Sequence, residues 1–361
     1  MINLSEKNSK KILVINIFGL GDVLFTTPLI NNLKADFPNV SIGYVCNRRS
    51  SCILENNKKI DRLFIYERDA FQAIARKSRL QYIKAMLNFF NDIKKEGYDT
   101  VLDVSLSNFT DFFTWFIGIP NRICLNYKGR SFFATEKIPF DGYQDKHVVE
   151  HYLDFLKEIG VSQRLKELDL PLSDQELKWA DDYWKEKGWR DDQKVVALVP
   201  GGGDSWGKDA QFKRWSPENY AKLADKIVEK TSAVIILLGA ENEQDVCLNI
   251  SRLMKHPSVS LCGKTTIGQF AGIVKRCSCV ILNDGGPLHV SVAVGATTVS
   301  IFGPVDENIY GPYPKGKHQV VVKNLACHPC YRKFRRASCN HISCLQTITV
   351  EEVMRKVEVV V

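Results

Sequence analysis

The chain has 361 residues, enough for two domains that each bury a core, and its composition, 45% apolar and 25% charged, excludes a disordered or collagen-like protein. No apolar run is long enough to span a bilayer and the opening MINLSEKNSKK is too polar for a signal peptide, so a cytoplasmic location is expected, and the eleven scattered cysteines suit reduced thiols better than a disulfide framework. A formal charge of +8 favours an acidic partner such as a nucleotide, a phosphorylated glycan or an anionic membrane surface, and no nucleic-acid-binding motif accompanies it.

Lys11–Phe18 is an apolar run of strand length that enters Gly19-Leu20-Gly21-Asp22 and then a helical pattern over Val23–Phe37. This strand, glycine turn and helix open a doubly wound sheet. The turn is not the dinucleotide fingerprint, because Leu24 stands where a third glycine should be. Ser41–Cys46, Leu63–Tyr66 and Thr100–Val104 read as further strands. Phe71–Lys95 reads as one long helix with Arg76, Lys77, Arg79 and Lys84 beside an apolar stripe, which suits either an anionic membrane or an ordinary solvated basic face. His147–Ile159 is helical, and the apolar signal then thins. We place the interdomain connection at 171–193, between an N-terminal domain at 1–170 and a C-terminal one at 194–345.

The second half repeats the alternation. Lys194–Pro200 is a strand followed by Gly201-Gly202-Gly203-Asp204, and Ser216-Pro217 has the sequence of a helix start. Ala233–Gly239 and Val259–Cys262 are strands, with helices at Asn242–Met254 and Thr265–Lys275. In Val280–Pro304 an apolar strand breaks at Asn283-Asp284-Gly285-Gly286 and resumes as a helix. Such a corner gathers backbone N–H groups and a helix N-terminus where phosphate can bind, with Leu288 and His289 in the first turn; the plainer reading is a tight turn with a capping carboxylate. Alternation in both halves means two parallel sheets with ligands at the C-terminal ends of their strands.

Asp22, at the end of the first strand, is either a helix cap or a general base that takes a proton from an attacking hydroxyl. Lys213 sits between a glycine-rich turn and a helix start, where a cation can reach a diphosphate; Arg214 and Lys208 are the neighbouring candidates, and a solvated loop face is the alternative for all three. Glu243, just beyond a strand end, can accept hydrogen bonds from a ribose.

Taken in order, Gly19–Pro38, Pro200–Ala224, Leu237–Glu243 and Asn283–Pro304 resemble glycosyltransferase family 9, the lipopolysaccharide heptosyltransferases and their relatives, over nearly the whole chain. The resemblance implies a GT-B fold, two Rossmann-like doubly wound domains facing a central cleft, the N-terminal one binding the acceptor and the C-terminal one the nucleotide-sugar. It implies inverting transfer without a catalytic metal or other cofactor. The leading reading of the donor is ADP-heptose, which the family label alone does not fix, and of the acceptor a phosphorylated glycolipid such as the lipopolysaccharide core, met at the cytoplasmic face of the inner membrane. On the matching positions Asp22 is the catalytic base, Lys213 the diphosphate contact, Glu243 the ribose contact, and Asp284, Gly285, Gly286, Leu288 and His289 the donor-phosphate turn. The final segment 346–361, with a helix at Val350–Val357, is expected to pack back on the N-terminal domain.

Two departures stand out. Gly285 occupies a position where the family commonly has Ser or Thr, which removes one hydroxyl from the phosphate turn. The stretch Asp103–Asn108 lacks the Gln-Gly expected after it, which points to a different acceptor. The tail carries Cys327, Cys330, Cys339 and Cys344, whose spacing fits a structural zinc site, free thiols or, third, disulfides. Arg332, Lys333, Arg335 and Arg336 form a basic cluster there, suited to a phosphorylated acceptor, lipid headgroups or solvent. The rival readings are a glycosyltransferase with another nucleotide-sugar donor, a nicotinamide-dependent dehydrogenase, which Leu24 disfavours, and a non-catalytic nucleotide-sugar-binding protein, which the pairing of Asp22 with Lys213 disfavours.

Overall fold

The structure, a computed structural model, describes Leu4, residues 9–339 and residues 341–361; at 204, 205 and 208 it describes the backbone alone. The chain divides into two compact units, one formed by the residues up to Gln144 with Val148–Leu168, the other by Asp145–His147 with Asp169–Val361.

The first unit holds β1 (Lys11–Ile15), β2 (Ser41–Cys46), β3 (Arg62–Ile65), β4 (Thr100–Asp103), β5 (Asn121–Tyr127) and β6 (Glu136–Phe140). They form one parallel sheet in the order β3-β2-β1-β4-β5-β6. Its helices are α1 (Leu20–Leu24), α2 (Thr27–Asp36), α3 (Arg48–Ser51), α4 (Arg68–Lys77), α5 (Arg79–Glu96), α6 (Asn108–Phe116) and α7 (Val148–Glu158). Beyond its first residue β1 is buried throughout, as the continuous apolar run requires of a strand covered on both faces.

The second unit repeats the plan with α8 (Asp174–Glu186), then β7 (Val195–Val199), β8 (Val234–Leu237), β9 (Ser258–Ser260), β10 (Cys279–Asn283), β11 (Thr298–Ile301) and β12 (Gln319–Val321). These too are parallel, in the order β12-β11-β10-β7-β8-β9, which read from β9 is again third, second, first, fourth, fifth, sixth. Around them lie α9 (Pro217–Thr231), α10 (Gln244–Leu253), α11 (Ile267–Arg276), α12 (Gly286–Ala293), α13 (Glu307–Tyr310), α14 (Ser343–Gln346) and α15 (Val350–Val357), with a small hairpin of β13 (Tyr331–Arg332) and β14 (Arg335–Arg336). Each sheet thus reverses strand order beside its first strand, β1 against β4 and β7 against β10. Loops leaving those strands diverge there and leave room for a ligand.

Four local expectations are corrected. The helix expected over 23–37 breaks at Phe25-Thr26, where the Thr26 hydroxyl bonds the Val23 carbonyl and pairs with the buried Tyr44 hydroxyl at 2.6 Å. The helix expected over 71–95 is two, because Ser78 turns extended and its side chain caps α5 by accepting the Gln81 N–H. The segment 171–193 is not a bare connection: α8, opened by a Ser173/Glu176 capping box, packs on α11 of the second unit, where Gly272 lets the helices approach Ala180 closely. Finally, α15 turns Val353, Met354 and Val357 into the core of the second unit, against α9, β11 and β12.

Candidate active site

In the second unit, four segments converge beyond the C-terminal ends of β7, β8 and β10. The turn Gly201-Gly202-Gly203 leaves β7, and two of its glycines are required by space. A Cβ on Gly201 would collide with the Glu243 carboxylate, and one on Gly202 would stand 2.5 Å from the Ala210 carbonyl oxygen. Gly203 adopts a left-handed conformation with φ of 69°. From below, Asn283 at the end of β10 donates its amide to the carbonyls of Pro200 and Gly201, at 2.8 and 3.0 Å, and accepts the Trp215 N–H at 3.1 Å. One buried amide therefore fixes the glycine turn to the strand end that precedes Asp284. Sequence reading passed over it, since nothing in the type or spacing of Asn283 separates it from a turn residue.

Lys213 ends the second of two short 3₁₀ pieces that meet at a kink at Gly207 within Asp204–Lys213, and its ammonium lies 2.7 Å from the Asp284 carboxylate and 4.3 Å from the centre of the Trp206 ring. Both charged side chains are buried, 7% and 5% exposed. A buried ion pair is held only where geometry repays desolvation, and here carboxylate and indole fix the lysine from two sides. Asp284 leads into Gly285-Gly286 and the N-terminus of α12, with the Leu288 N–H bonded back to the Gly285 carbonyl at 3.1 Å. A Cβ on residue 285 would stand 3.3 Å from the Gly202 carbonyl oxygen, so the glycine there lets the two turns approach. His289 is buried in the first turn of α12; burial, with the charges of His147 and Lys213, lowers its pKa to about 3. It stands as a neutral imidazole next to a fixed cation.

Glu243 follows β8, where an open sheet of this kind places an acid for a ribose. Yet it is buried, accepting the N–H groups of Gly203 at 3.2 Å and Ala240 at 3.0 Å, with an Arg214 guanidinium nitrogen 3.7 Å away. In this arrangement its carboxylate faces the glycine turn. Arg214 lies by Glu243, apart from Lys213's partner, and the side chain of Lys208 is outside the described residues.

In the first unit, Asp22 sits in α1 directly after β1, half-buried, its carboxylate accepting the Gly19 N–H at 3.2 Å. The loop before it is tied down twice. Asn16 donates to the Asp22 carbonyl and accepts the Phe18 N–H, and Asn47 donates to the carbonyls of Ile17 and Phe18. These asparagines are a second element missed in the sequence, where they read as ordinary strand-end residues.

Of the readings of the tail cysteines, structural zinc finds no ligand set in the structure. Among the described residues, no three His, Cys, Asp or Glu side chains are placed to share an ion. All four tail cysteines are free thiols; that of Cys339 donates to the His341 carbonyl, and burial and its neighbouring cysteines raise Cys344 to about 11. His328 is held by the Gly303 carbonyl and the Glu307 carboxylate, at 3.0 and 3.1 Å. What the tail does instead is brace the loop that bears Trp206, Phe212 and Lys213. Tyr331 packs on Trp206 with ring centres 5.0 Å apart, and Arg336 lies 3.9 Å above the Phe212 ring and 3.5 Å from Asp209.

Residues 86–341 match the sequence model described as "Glycosyltransferase family 9 (heptosyltransferase)". Lipooligosaccharide heptosyltransferase 2 of Campylobacter jejuni is 30% identical over 239 residues, 65% of this chain and 69% of that protein. Among solved structures, a family 9 glycosyltransferase of Veillonella parvula superposes with a TM-score of 0.81 at 22% identity, over 97% of each chain. Escherichia coli ADP-heptose lps heptosyltransferase II does so with a TM-score of 0.76 at 18% identity, over 97% of this chain and 98% of that one. With a family match over most of its length and superpositions that cover nearly all of it, the chain belongs to glycosyltransferase family 9, the heptosyltransferases, and has the GT-B fold.

Proposed function

We propose that this glycosyltransferase transfers heptose from ADP-heptose to a lipopolysaccharide or lipooligosaccharide core acceptor, with inversion and without a catalytic metal. The observation that carries the reading is Lys213, held by Asp284 and Trp206 beside the N-terminus of α12. A nucleoside diphosphate is the leaving group whose charge such a cluster suits: the lysine ammonium and the N–H groups of Gly285–Leu288 would take up negative charge as the sugar–phosphate bond breaks. The names of the relatives, a lipooligosaccharide heptosyltransferase and an ADP-heptose heptosyltransferase, support heptose and adenine.

In this reading the acceptor hydroxyl attacks the anomeric carbon opposite the diphosphate. The new C–O bond forms as the bond to phosphate breaks, the proton passes to the Asp22 carboxylate, and ADP departs. Glu243 serves by anchoring Gly203 and Ala240; contact with a ribose would require it to release one of those N–H groups. In this reading a glycolipid acceptor is met at the cytoplasmic face of the inner membrane; no helix among the described residues is long and apolar enough to cross a membrane.

The test is a thermal-shift panel with ADP, UDP, GDP and NADH, followed by transfer assays with and without EDTA. A ligand at a hundred times its dissociation constant adds roughly 2.7 kcal/mol. Stabilisation by ADP alone, with EDTA-resistant transfer from ADP-heptose, is the expected result. Selective stabilisation by UDP or GDP would replace the donor, and loss of transfer in EDTA would overturn metal independence.

A further inference from the structure

In the first unit, α6 is apolar on two sides: Phe109 and Phe113 pack against the core, and a second aromatic face is left outside. A helix on a globular domain turns its apolar stripe to the core and its polar face to water. Here Thr110, Asp111 and Thr114 are buried, while Phe112, Trp115 and Phe116, one helix face at spacings of three and four, are 36%, 47% and 53% exposed. The buried polar groups are satisfied: Thr110 donates to Asp103 at 2.6 Å, Asp111 accepts the Phe133 N–H at 2.7 Å, and Thr114 donates to the Asp111 carbonyl at 3.0 Å. The outward aromatic face thus stands on a helix whose buried polar groups find partners within the unit.

The bond from Asp111 to Phe133 brings the β5–β6 loop onto the same face. Phe133 packs on Trp115 and Phe112 at 4.9 and 5.3 Å, and Phe132 beside it is 75% exposed. One cation, Lys137, lies 5.7 Å above the Phe132 ring of this patch; Lys128 and Arg130, exposed in the same loop, lie over the Tyr127 ring at 5.0 and 5.5 Å, and over residues 121–137 four basic residues stand against a single acid, Glu136. Stacking of Phe90 on Phe113 at 4.1 Å joins α6 to α5, where Leu80, Ile83 and Leu87 are exposed among Arg79 and Lys84.

We propose that this face, α6 with the β5–β6 loop, docks the enzyme on an anionic lipid bilayer. Phe112, Trp115, Phe116 and Phe132 enter the headgroup layer, and Lys128, Arg130 and Lys137 meet the lipid phosphates. Aromatic rings that stand proud of the surface between lysines and arginines have the chemistry of an interfacial anchor, and the charge complementarity selects a bilayer over an uncharged apolar partner. The proposal rests on the glycolipid acceptor only for why a bilayer is met. Vesicle binding is read without donor or acceptor, so the two readings fail separately.

The experiment is co-sedimentation of the full chain with phosphatidylglycerol/phosphatidylethanolamine vesicles and with phosphatidylcholine vesicles, together with analytical ultracentrifugation. The wild type should bind the anionic vesicles, less tightly as salt rises. The triple variant Trp115→Ser/Phe116→Ser/Phe132→Ser should bind at least tenfold more weakly while keeping its ADP thermal shift. Leu248→Ser/Leu253→Ser, which removes exposed apolar side chains from α10, should bind as the wild type does. A wild type that ignores anionic vesicles, a triple variant that still binds them, or a wild-type dimer that the triple variant dissolves would each overturn the proposal.

Discussion

At the scale of single residues, the second unit carries its charge in a form that couples binding to stability. Truncating one partner of a buried ion pair leaves the other charge without compensation, at about 3–5 kcal/mol. Lys213→Ala should therefore both destabilise the protein by that order and weaken ADP binding, and one measurement cannot separate the two. Lys213→Met/Asp284→Asn removes both charges; in denaturant titrations it should recover most of the lost stability, while calorimetry should show ADP affinity still reduced. Recovery of affinity along with stability would remove Lys213 as a diphosphate contact. Asp22→Asn is the complementary case: about 10² to 10⁴-fold loss of transfer is expected with ADP affinity within a few-fold of wild type. Full activity in that variant would dismiss Asp22 as the base.

His289 adds a pH dependence with a definite sign. An imidazole ordinarily titrates near 6.5, and burial, then His147 and Lys213, hold this one down to about 3. Between those values the unfolded chain binds a proton that the folded chain does not, so stability falls as pH drops through the window, by roughly 2 kcal/mol at pH 5. Urea titrations at pH 7 and pH 5 should show His289→Gln losing about 2 kcal/mol less than wild type over that interval. Equal losses would mean the imidazole is not held neutral.

At the scale of elements, the strands and glycine turns were legible because continuous apolar runs and glycine corners have direct physical causes. The breaks at Thr26 and Ser78 were not, since each depends on one hydroxyl finding a partner that only the folded chain supplies. The site divided in the same way. Asp22, Lys213 and the Asp284 turn stood out by chemistry and position, whereas Asn16, Asn47 and Asn283, which hold the loops, look like any turn asparagine until their acceptors are in place. The β13–β14 hairpin is the clearest case: the cysteines flanking it offered a metal or free thiols, and its contacts run through Tyr331 and Arg336 to the loop bearing Trp206 and Lys213. An aromatic pair contributes about 0.5–1.5 kcal/mol beyond its buried area. Tyr331→Ala should thus loosen Trp206 and weaken ADP binding about threefold to tenfold by calorimetry, with the indole relaying the change to the ammonium. Unchanged affinity would limit the hairpin to a structural role.

At the scale of the whole molecule, the same strand order appears twice, and each unit has its own apolar cluster, one around β1, α5 and β4 and one around β7, α9 and α15. The placement of α15 decides which unit its side chains stabilise. Val353 is fully buried in the second cluster, so Val353→Ala should cost about 2 kcal/mol through lost burial and a residual cavity. Because the proposed nucleotide site lies in that unit, ADP at a hundred times its dissociation constant should restore roughly 2.7 kcal/mol and bring the variant's Tm back to near that of the ligand-free wild type. A helix packed on the first unit would give a different result in the same melts, with ADP protecting the second unit and leaving the weakened one as it was. Thermal melts of wild type and Val353→Ala, each with and without ADP, therefore test the location of the helix and that of the nucleotide site together.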